Sequence, residues 1–194
     1  MRIDGCVLAG GEGRRMGADK ALVLLAGRPL LSHVIDRFAP QVDRLWLSAN
    51  GDAARFARFG LTVLPDAAPM GPLSGVLAGL RRAAAEGATA LVTVPVDSPF
   101  VPGDLVPRLC LAAETAPHGM AIARAGGRVH PVFALWPVAM AGPLADFLAS
   151  GVKPRLMDFA AQAALADFPD DGSFDNLNTP EDLAAAEALL QAAR

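Results

Sequence analysis

The chain has 194 residues, of which 53% are hydrophobic, and its formal net charge is −3. This length fits a single domain over residues 1–194 with a substantial apolar core. The composition excludes a disordered chain, and the small negative net charge argues against nucleic acid as a partner. Local clusters of basic residues in an acidic chain instead favour a small anionic ligand.

The sequence also bears on the compartment. It contains no apolar stretch of transmembrane length and no signal peptide at its start, so we expect a cytoplasmic protein without membrane contact. Cys6 and Cys110 are the two cysteines, and they show no CxxC spacing. We therefore expect buried free thiols rather than a disulfide or a metal site.

The first informative segment is the glycine-rich stretch after the apolar run at residues 3–8. The run predicts a buried strand that ends in a loop. The glycines permit positive φ angles and let backbone N–H groups approach an anion. Arg14, Arg15 and Lys20 add positive charge. The segment therefore predicts a polyphosphate cradle, with a simple tight turn as the alternative.

Two known phosphate motifs do not explain this loop. Lys20 does not directly follow a glycine, as a Walker loop requires. Gly11, Gly13 and Gly17 approach a dinucleotide fingerprint, but the last glycine is one place late. The acidic residue expected at the end of the second strand is also missing, because Ser48 stands there.

Strand-like and helix-like segments then alternate along the chain. Further strands are predicted at residues 45–49, 61–64, 90–96, 119–123, 129–135 and 164–168. Helices are predicted at residues 29–38, 52–59, 77–85, 105–113, 137–148, 156–161 and 180–193. The alternation predicts an α/β fold in three layers, Rossmann-like, with a mostly parallel central sheet covered on both faces.

In such sheets, ligands bind outside the carboxyl ends of the strands. The glycine-rich loop, Asp66 and Asp97 leave three predicted strands at that edge. A phosphate cradle beside carboxylates predicts Mg²⁺, for which Asp97 alone suffices because substrate phosphates supply further oxygens. The alternatives are helix capping for Asp97 and a turn role for Asp66.

These motifs resemble those of the molybdenum cofactor guanylyltransferases. The matching segments are Leu8-Ala9-Gly10-Gly11, Arg15-Met16-Gly17, Asp19-Lys20, Gly71-Pro72-Leu73-Ser74-Gly75, Asp97-Ser98-Pro99, His130-Pro131-Val132 and Asn176-Leu177-Asn178-Thr179-Pro180-Glu181-Asp182. They follow the family order along essentially the whole chain. The opening motif is shared by many nucleotidyltransferases, whereas the double glycine combined with the closing run is more specific.

The resemblance implies a nucleotidyltransferase fold and transfer of GMP from GTP to the phosphate of molybdenum-bound molybdopterin, with release of pyrophosphate. It implies catalytic roles for Lys20, Arg15 and Asp97, with Mg²⁺ bound by Asp97. The GTP contacts that it implies are Leu8, Ala9, Gly10, Gly11, Lys20, Ser48, Asp66 and Asp97. The family often has Asn where Ser48 stands, and Asn50 follows two residues later, so the contact from this strand stays open.

The candidates for binding molybdopterin are His130, Arg155, Asn176 and Asn178, together with the basic residues Arg124, Arg128 and Lys153. Packing within a strand is the alternative for His130, and shaping the start of the last helix is the alternative for the two asparagines. A molybdoenzyme or a chaperone is the partner expected to receive the cofactor.

Three other functions compete with this interpretation: a molybdopterin cytidylyltransferase, a sugar-phosphate nucleotidyltransferase and a nucleotide-binding regulatory module without turnover. Cytidylyl enzymes usually carry Ala-Ala-Gly at the opening, so the second glycine here favours guanine. The presence of both Lys20 and Asp97 argues against a module without turnover.

Overall fold

The computed structural model describes residues 1–10, 19–66, 71–151 and 155–192. The strands in these ranges are β1 (Ile3–Leu8), β2 (Leu24–Leu25), β3 (Arg28–Pro29), β4 (Arg44–Ser48), β5 (Thr62–Leu64), β6 (Ala90–Pro95), β7 (Ala121–Ala125), β8 (Arg128–Pro137) and β9 (Ala164–Phe168). The α-helices are α1 (Leu30–Phe38), α2 (Pro72–Ala85), α3 (Leu105–Ala113), α4 (Ala141–Ala149), α5 (Leu156–Phe159) and α6 (Pro180–Ala192). Short 3₁₀ helices occupy Lys20–Leu22, Ala39–Gln41, Ala53–Phe59 and Val138–Met140.

Seven strands form one sheet in the order β5-β4-β1-β6-β8-β7-β9. β1 is parallel to both β4 and β6, β5 is parallel to β4, and β9 is parallel to β7. β8 is antiparallel to both of its neighbours, β6 and β7. The mostly parallel sheet predicted from the sequence is therefore confirmed. Its register sets Leu8 level with Ser48 and with Pro95, so three strands end at one edge.

Helices cover both faces of this sheet, which gives the three predicted layers. One buried cluster holds Leu31 and Val34 of α1 with Leu105 and Leu109 of α3. The other face is covered by α2 and α4, which contribute the buried residues Leu73, Val76, Leu80, Leu144 and Leu148. Within the described ranges, no helix is both long and apolar enough to span a bilayer.

A third, smaller cluster fixes the last helix against the start of the chain. Leu25 and Leu30 pack with Leu177 and Ala186 of the α6 region. Leu25 belongs to the β2–β3 hairpin. This hairpin was not predicted, because strands of two residues show no periodicity of apolar residues. This cluster keeps the start of α6 close to the segment that carries Lys20.

The two largest errors in the predicted boundaries concern the starts of α2 and α4. α2 begins at Pro72, five residues before the predicted start, because Pro72 occupies its first turn after Gly71 at φ 90°. The predicted helix at 137–148 also began too early. β8 continues to Pro137, which pairs with Ala90 of β6, and α4 starts only at Ala141.

Gly126 and Gly127 have φ angles of 54° and 73° and form the tight turn between β7 and β8. Both cysteines are free; Cys6 is buried and Cys110 is half-buried. The prediction of free thiols is confirmed for both cysteines, whereas the prediction of burial holds for Cys6 alone. Burial raises the pKa of the Cys6 thiol to about 12, which keeps it protonated and unreactive.

A buried hydrogen-bond relay in the sheet gives a stability prediction. The indole Nε1 of Trp136 donates to Thr93 Oγ1 at 3.0 Å, and that hydroxyl donates to the carbonyl of Val132 at 2.7 Å. Thr93→Val keeps the shape but leaves an indole N–H and a carbonyl without this partner. We expect unfolding free energy to fall by about 1–3 kcal/mol in a denaturant titration.

The matched control is Thr115→Val, at an exposed hydroxyl that bonds locally to Ala112 O. We expect this variant to stay within about 0.5 kcal/mol of the unaltered protein. Equal stability of the Thr93 and Thr115 variants would contradict a structural role for the relay.

Candidate active site

A cavity of about 310 Å³ lies at the carboxyl edge of the sheet, beside the first turn of α2. Its described lining residues are Leu8, Gly10, Lys20, Ser48, Asp66, Gly71, Pro72, Gly75, Pro95, Val96, Asp97, Val132 and Asn176. The structure thus brings together the ends of β1, β4 and β6 with the segments carrying Lys20 and Asp66. Of the predicted nucleotide contacts, Gly11 lies outside the described residues, as does the catalytic candidate Arg15.

The end of β1 presents open backbone to this cavity. Among the described atoms, none lies within 4 Å of a Cβ added at Gly10. Ala9 has a different position: its N–H donates to Ser48 O at 2.8 Å, and its side chain is buried. The backbone N–H of Ala9 is therefore already used within the sheet.

Lys20 is held at the cavity by two side chains. Its Nζ donates to Asp97 Oδ2 at 2.8 Å and also to Asn178 Oδ1. The side chains of Lys20 and Asp97 are 17% and 18% exposed, so the pair is shielded from bulk water but still reachable. This arrangement joins the turn that carries Lys20, the end of β6 and the segment before α6.

The segment before α6 is bound to the corner after β6 by successive residues. Ser98 Oγ donates to Asn176 Oδ1 at 2.7 Å, and the N–H of Leu177 donates to the carbonyl of Asp97 at 2.8 Å. Ser98 is fully buried. Asn178 then reaches Lys20, so this stretch both lines the site and supports it.

The start of α6 holds this segment in place. Asp182 Oδ2 accepts the N–H groups of Asn178 and Thr179 at 2.8 and 2.9 Å, and Thr179 Oγ1 accepts the N–H of Asp182 at 3.1 Å. The two N–H groups lower the pKa of Asp182, and the charge of Lys20 adds to the effect. This reciprocal capping satisfies N–H groups at the helix start and orients Asn178.

Asp66 lies on the wall of the cavity opposite Lys20. The residues that hold it there were not predicted from the sequence. Asn50 Oδ1 accepts the backbone N–H of Asp66 at 2.8 Å. Ser74 Oγ lies within hydrogen-bond distance of Asp66 Oδ2 and, at 2.7 Å, of Gly71 O. Asn50 thus positions Asp66, and the described cavity lining contains Ser48 instead.

Ser48 lies in close contact with α2. A Cβ on Gly75 would lie only 2.7 Å from Ser48 Oγ, so the first turn of α2 approaches the end of β4 through this glycine. The short Ser48 side chain is 3% exposed. Glycine at position 75 and a small residue at position 48 therefore belong together.

A second cavity of about 710 Å³ adjoins the first and shares Asn176 with it. Its lining includes four predicted molybdopterin contacts, namely Arg128, His130, Asn176 and Asn178. Lys153, another candidate, lies outside the described residues. Arg155 is not among the described residues that line either cavity. It precedes the short helix α5, whose Leu156 packs on the α2 and α4 side of the sheet.

His130 is packed among aromatic rings at this second cavity. Its ring lies 4.9 Å from the ring of Phe174 at an interplanar angle of 32°, and its edge contact with Phe133 spans 6.3 Å. Burial lowers the pKa of His130, and the nearby charge of Arg128 lowers it further. A neutral imidazole at neutral pH follows, suited to stacking and hydrogen bonding.

The mostly parallel sheet with a cavity at its carboxyl edge is the arrangement of the nucleotidyltransferase fold. The model of the MobA-like NTP transferase domain matches residues 5–165. A molybdenum cofactor guanylyltransferase of Cereibacter sphaeroides is 63% identical over 98% of both chains. One of Bradyrhizobium sp. (strain ORS 278) is 46% identical, over 96% of this chain and 92% of its own. This chain belongs to the molybdenum cofactor guanylyltransferase family.

Solved structures support the fold. A crystal structure of molybdopterin-guanine dinucleotide biosynthesis protein A from Archaeoglobus fulgidus has a TM-score of 0.78 at 23% identity, over 97% of this chain and 99% of that one. The 2-C-methyl-D-erythritol 4-phosphate cytidylyltransferase of Thermus thermophilus gives 0.73 at 21% identity, over 98% and 100%. The same α/β fold therefore serves proteins named for different nucleotides.

The environment of His130 gives a titration prediction. In an NMR titration we expect its pKa below the ordinary 6.5, and Arg128→Gln should raise it only in part because burial is the larger cause. The unfolded chain binds this proton more readily than the folded one. The contribution of His130 to stability therefore decreases as pH falls below about 6.5.

Arg124→Gln is the control, because Arg124 lies on the same hairpin but pairs with Asp167 at 2.5 Å. We expect it to leave the His130 pKa unchanged. A His130 pKa above 6.5, or an equal response to both arginine variants, would contradict this account.

Proposed function

We propose that this protein transfers GMP from GTP to the phosphate of molybdenum-bound molybdopterin and releases pyrophosphate. One observation carries the proposal beyond family membership: the hydrogen bond between Lys20, which lines the first cavity, and Asn178, which lines the second. Two neighbouring sites joined at a cation suit two anionic substrates that must meet. In this proposal the first cavity takes GTP and the second takes the pterin.

The proposed transfer does not require a nucleophile from the protein. A phosphate oxygen of molybdopterin attacks the α-phosphorus of GTP, and the bond from that phosphorus to the bridging oxygen of pyrophosphate breaks. The main task is to align two polyanions that repel each other. Lys20, held at the joint between the cavities, offsets negative charge that develops on the α-phosphoryl group and the leaving group.

Mg²⁺ is part of this proposal, and the donor set on this wall fits it. Asp97 presents a partly exposed carboxylate to the cavity, and Mg²⁺ is usually held by one or two carboxylates plus substrate phosphates. Within the described ranges, three or more His, Cys, Asp or Glu residues do not cluster as they would in an all-protein cage. The ion would supply charge neutralisation at the phosphates. Asp97 would hold it, and Lys20 would contribute further positive charge toward the phosphates.

In this proposal the guanine base lies beside Gly10, where an added Cβ would meet no described atom within 4 Å, and backbone groups read its donors and acceptor. The names of the relatives at 63% and 46% identity support guanine. A cytidylyl or sugar-phosphate enzyme is the competing function, since the fold alone is shared with a cytidylyltransferase.

The direct test is pyrophosphate release from each of GTP, CTP, ATP and UTP with molybdenum-loaded molybdopterin and Mg²⁺. We expect turnover with GTP and at most about 1% of that rate with the others, because a site that hydrogen-bonds one base leaves polar groups unpaired with another. GTP with Mg²⁺ should also raise the melting temperature most. Equal rates with all four nucleotides would refute guanine selection, and absence of release would refute the activity.

Asp97→Asn tests the proposed metal ligand while preserving the side-chain shape. We expect kcat to fall on the order of 10²-fold or more, with the melting temperature little changed. The control Asp104→Asn removes a carboxylate that is 52% exposed and pairs with Arg108 on the surface. Near-normal turnover and unchanged Mg²⁺ dependence in Asp97→Asn would leave only a structural role for this aspartate.

A further inference from the structure

We propose that Arg55 is a positioning residue for Lys20, and that it couples the two walls of the nucleotide cavity. It lies in the 3₁₀ helix Ala53–Phe59 and is not among the residues lining either cavity, so it acts through other residues. The catalytic part of this inference rests on the proposed function, whereas the positioning part stands on the geometry of the ligand-free protein.

All three nitrogens of the Arg55 guanidinium are engaged. Nε donates to Asp19 Oδ2 at 2.7 Å, Nη2 donates to the carbonyl of Asn50 at 2.6 Å, and Nη1 donates to the carbonyl of Asp52 at 2.7 Å. The group also lies over the ring of Phe56, 4.4 Å from its centroid. A planar guanidinium fork bound through all three nitrogens has a fixed orientation, which a lysine ammonium does not provide.

Asp19 connects the fixed side chain of Arg55 to the turn that carries Lys20. Its Oδ1 accepts the N–H of Ala21 at 3.2 Å and so caps the one-turn helix Lys20–Leu22, while Oδ2 is bound by Arg55. The two oxygens of one carboxylate therefore link the turn that carries Lys20 to the Arg55 fork. Since Asp19 is the residue directly before Lys20, rotation of its side chain would disturb the path of the chain into Lys20.

Asn50, the second anchor of Arg55, belongs to the cavity wall that carries Asp66. The carbonyl of Asn50 accepts from Arg55, while the side-chain oxygen of Asn50 accepts the N–H of Asp66. Gly51, at φ 83°, makes this possible: a Cβ there would lie 3.1 Å from Nη1 of Arg55. Arg55 thus links Asp19, the residue before Lys20, with Asn50, which holds the N–H of Asp66.

Loss of this fork leaves the Lys20 turn with more freedom and the cationic donor less well preorganised. Small misplacements of an electrostatic group cost rate rather than folding. Arg55 and Asp19 are 29% and 25% exposed, so the fold does not depend on them as it depends on buried residues. We therefore expect Arg55→Ala to lower kcat for GTP roughly tenfold, with a smaller change in KM.

A double-mutant cycle with Lys20→Ala tests this route. If Arg55 acts through Lys20, then Arg55→Ala should change kcat by less than about twofold in the Lys20→Ala background. Arg58→Ala is the matched control, because Arg58 lies on the same 3₁₀ helix and its cation contact is with the ring of Phe59 at 4.9 Å. A normal kcat in Arg55→Ala, or an equal loss with and without Lys20, would overturn the proposal.

Hydrogen exchange on the ligand-free protein separates this inference from the proposed function. We expect the amide of Ala21 to exchange roughly tenfold faster in Arg55→Ala and to be unchanged in Arg58→Ala. This readout needs no substrate, so it decides the positioning role even if GTP supports no pyrophosphate release. If Arg55→Ala does not fold, Arg55→Lys carries the same test, since it keeps the charge and loses the fork. Unchanged exchange at Ala21 would overturn the positioning role.

Discussion

The ion pair between Lys20 and Asp97 is the interaction on which the site depends. It joins residues 77 positions apart, and Asn178 extends it to a residue 158 positions from Lys20. Partial shielding from water strengthens the attraction between the two charges. The pair therefore brings the turn that carries Lys20, the corner after β6 and the segment before α6 into one place. Opposite charges held there suit a substrate that brings phosphates and a cation together.

The sheet explains why these segments meet. β1, β4 and β6 are parallel and end level with one another, so their following segments share one edge. The last helix must also return to that edge, and it does so through the cluster of Leu25, Leu30, Leu177 and Ala186. The β2–β3 hairpin, which was not predicted, provides an apolar surface for α6 beside the turn of Lys20.

Supporting residues distinguish this site from a simple collection of reactive groups. Asn50, Ser74 and Arg55 do not carry the proposed reaction, yet each fixes a residue at or beside the cavity. Glycines set the spacing, as Gly75 does against Ser48. A nucleotidyl transfer that depends on alignment needs such support, because most of its rate comes from fixed positions of charge rather than from a protein nucleophile.

The sequence by itself determined the elements with strong local signals. The apolar run of β1, the stripe of α3 and the short strand β9 lie where their patterns predict, at Ile3–Leu8, Leu105–Ala113 and Ala164–Phe168. Because parallel strands end at one edge, the sequence also determined that Gly10, Asp66 and Asp97 would line one cavity. Family membership followed from motifs spread along the chain.

Only the tertiary structure decided the pairings between distant residues. The hydrogen bond from Lys20 to Asn178, the fork of Arg55 on Asp19 and the position of Arg155 away from both cavities have no local signal. The same holds for β8, which continues to Pro137 because β6 provides a pairing partner. Periodicity and turn chemistry act within a few residues, whereas these contacts exist only after packing has brought separate segments together.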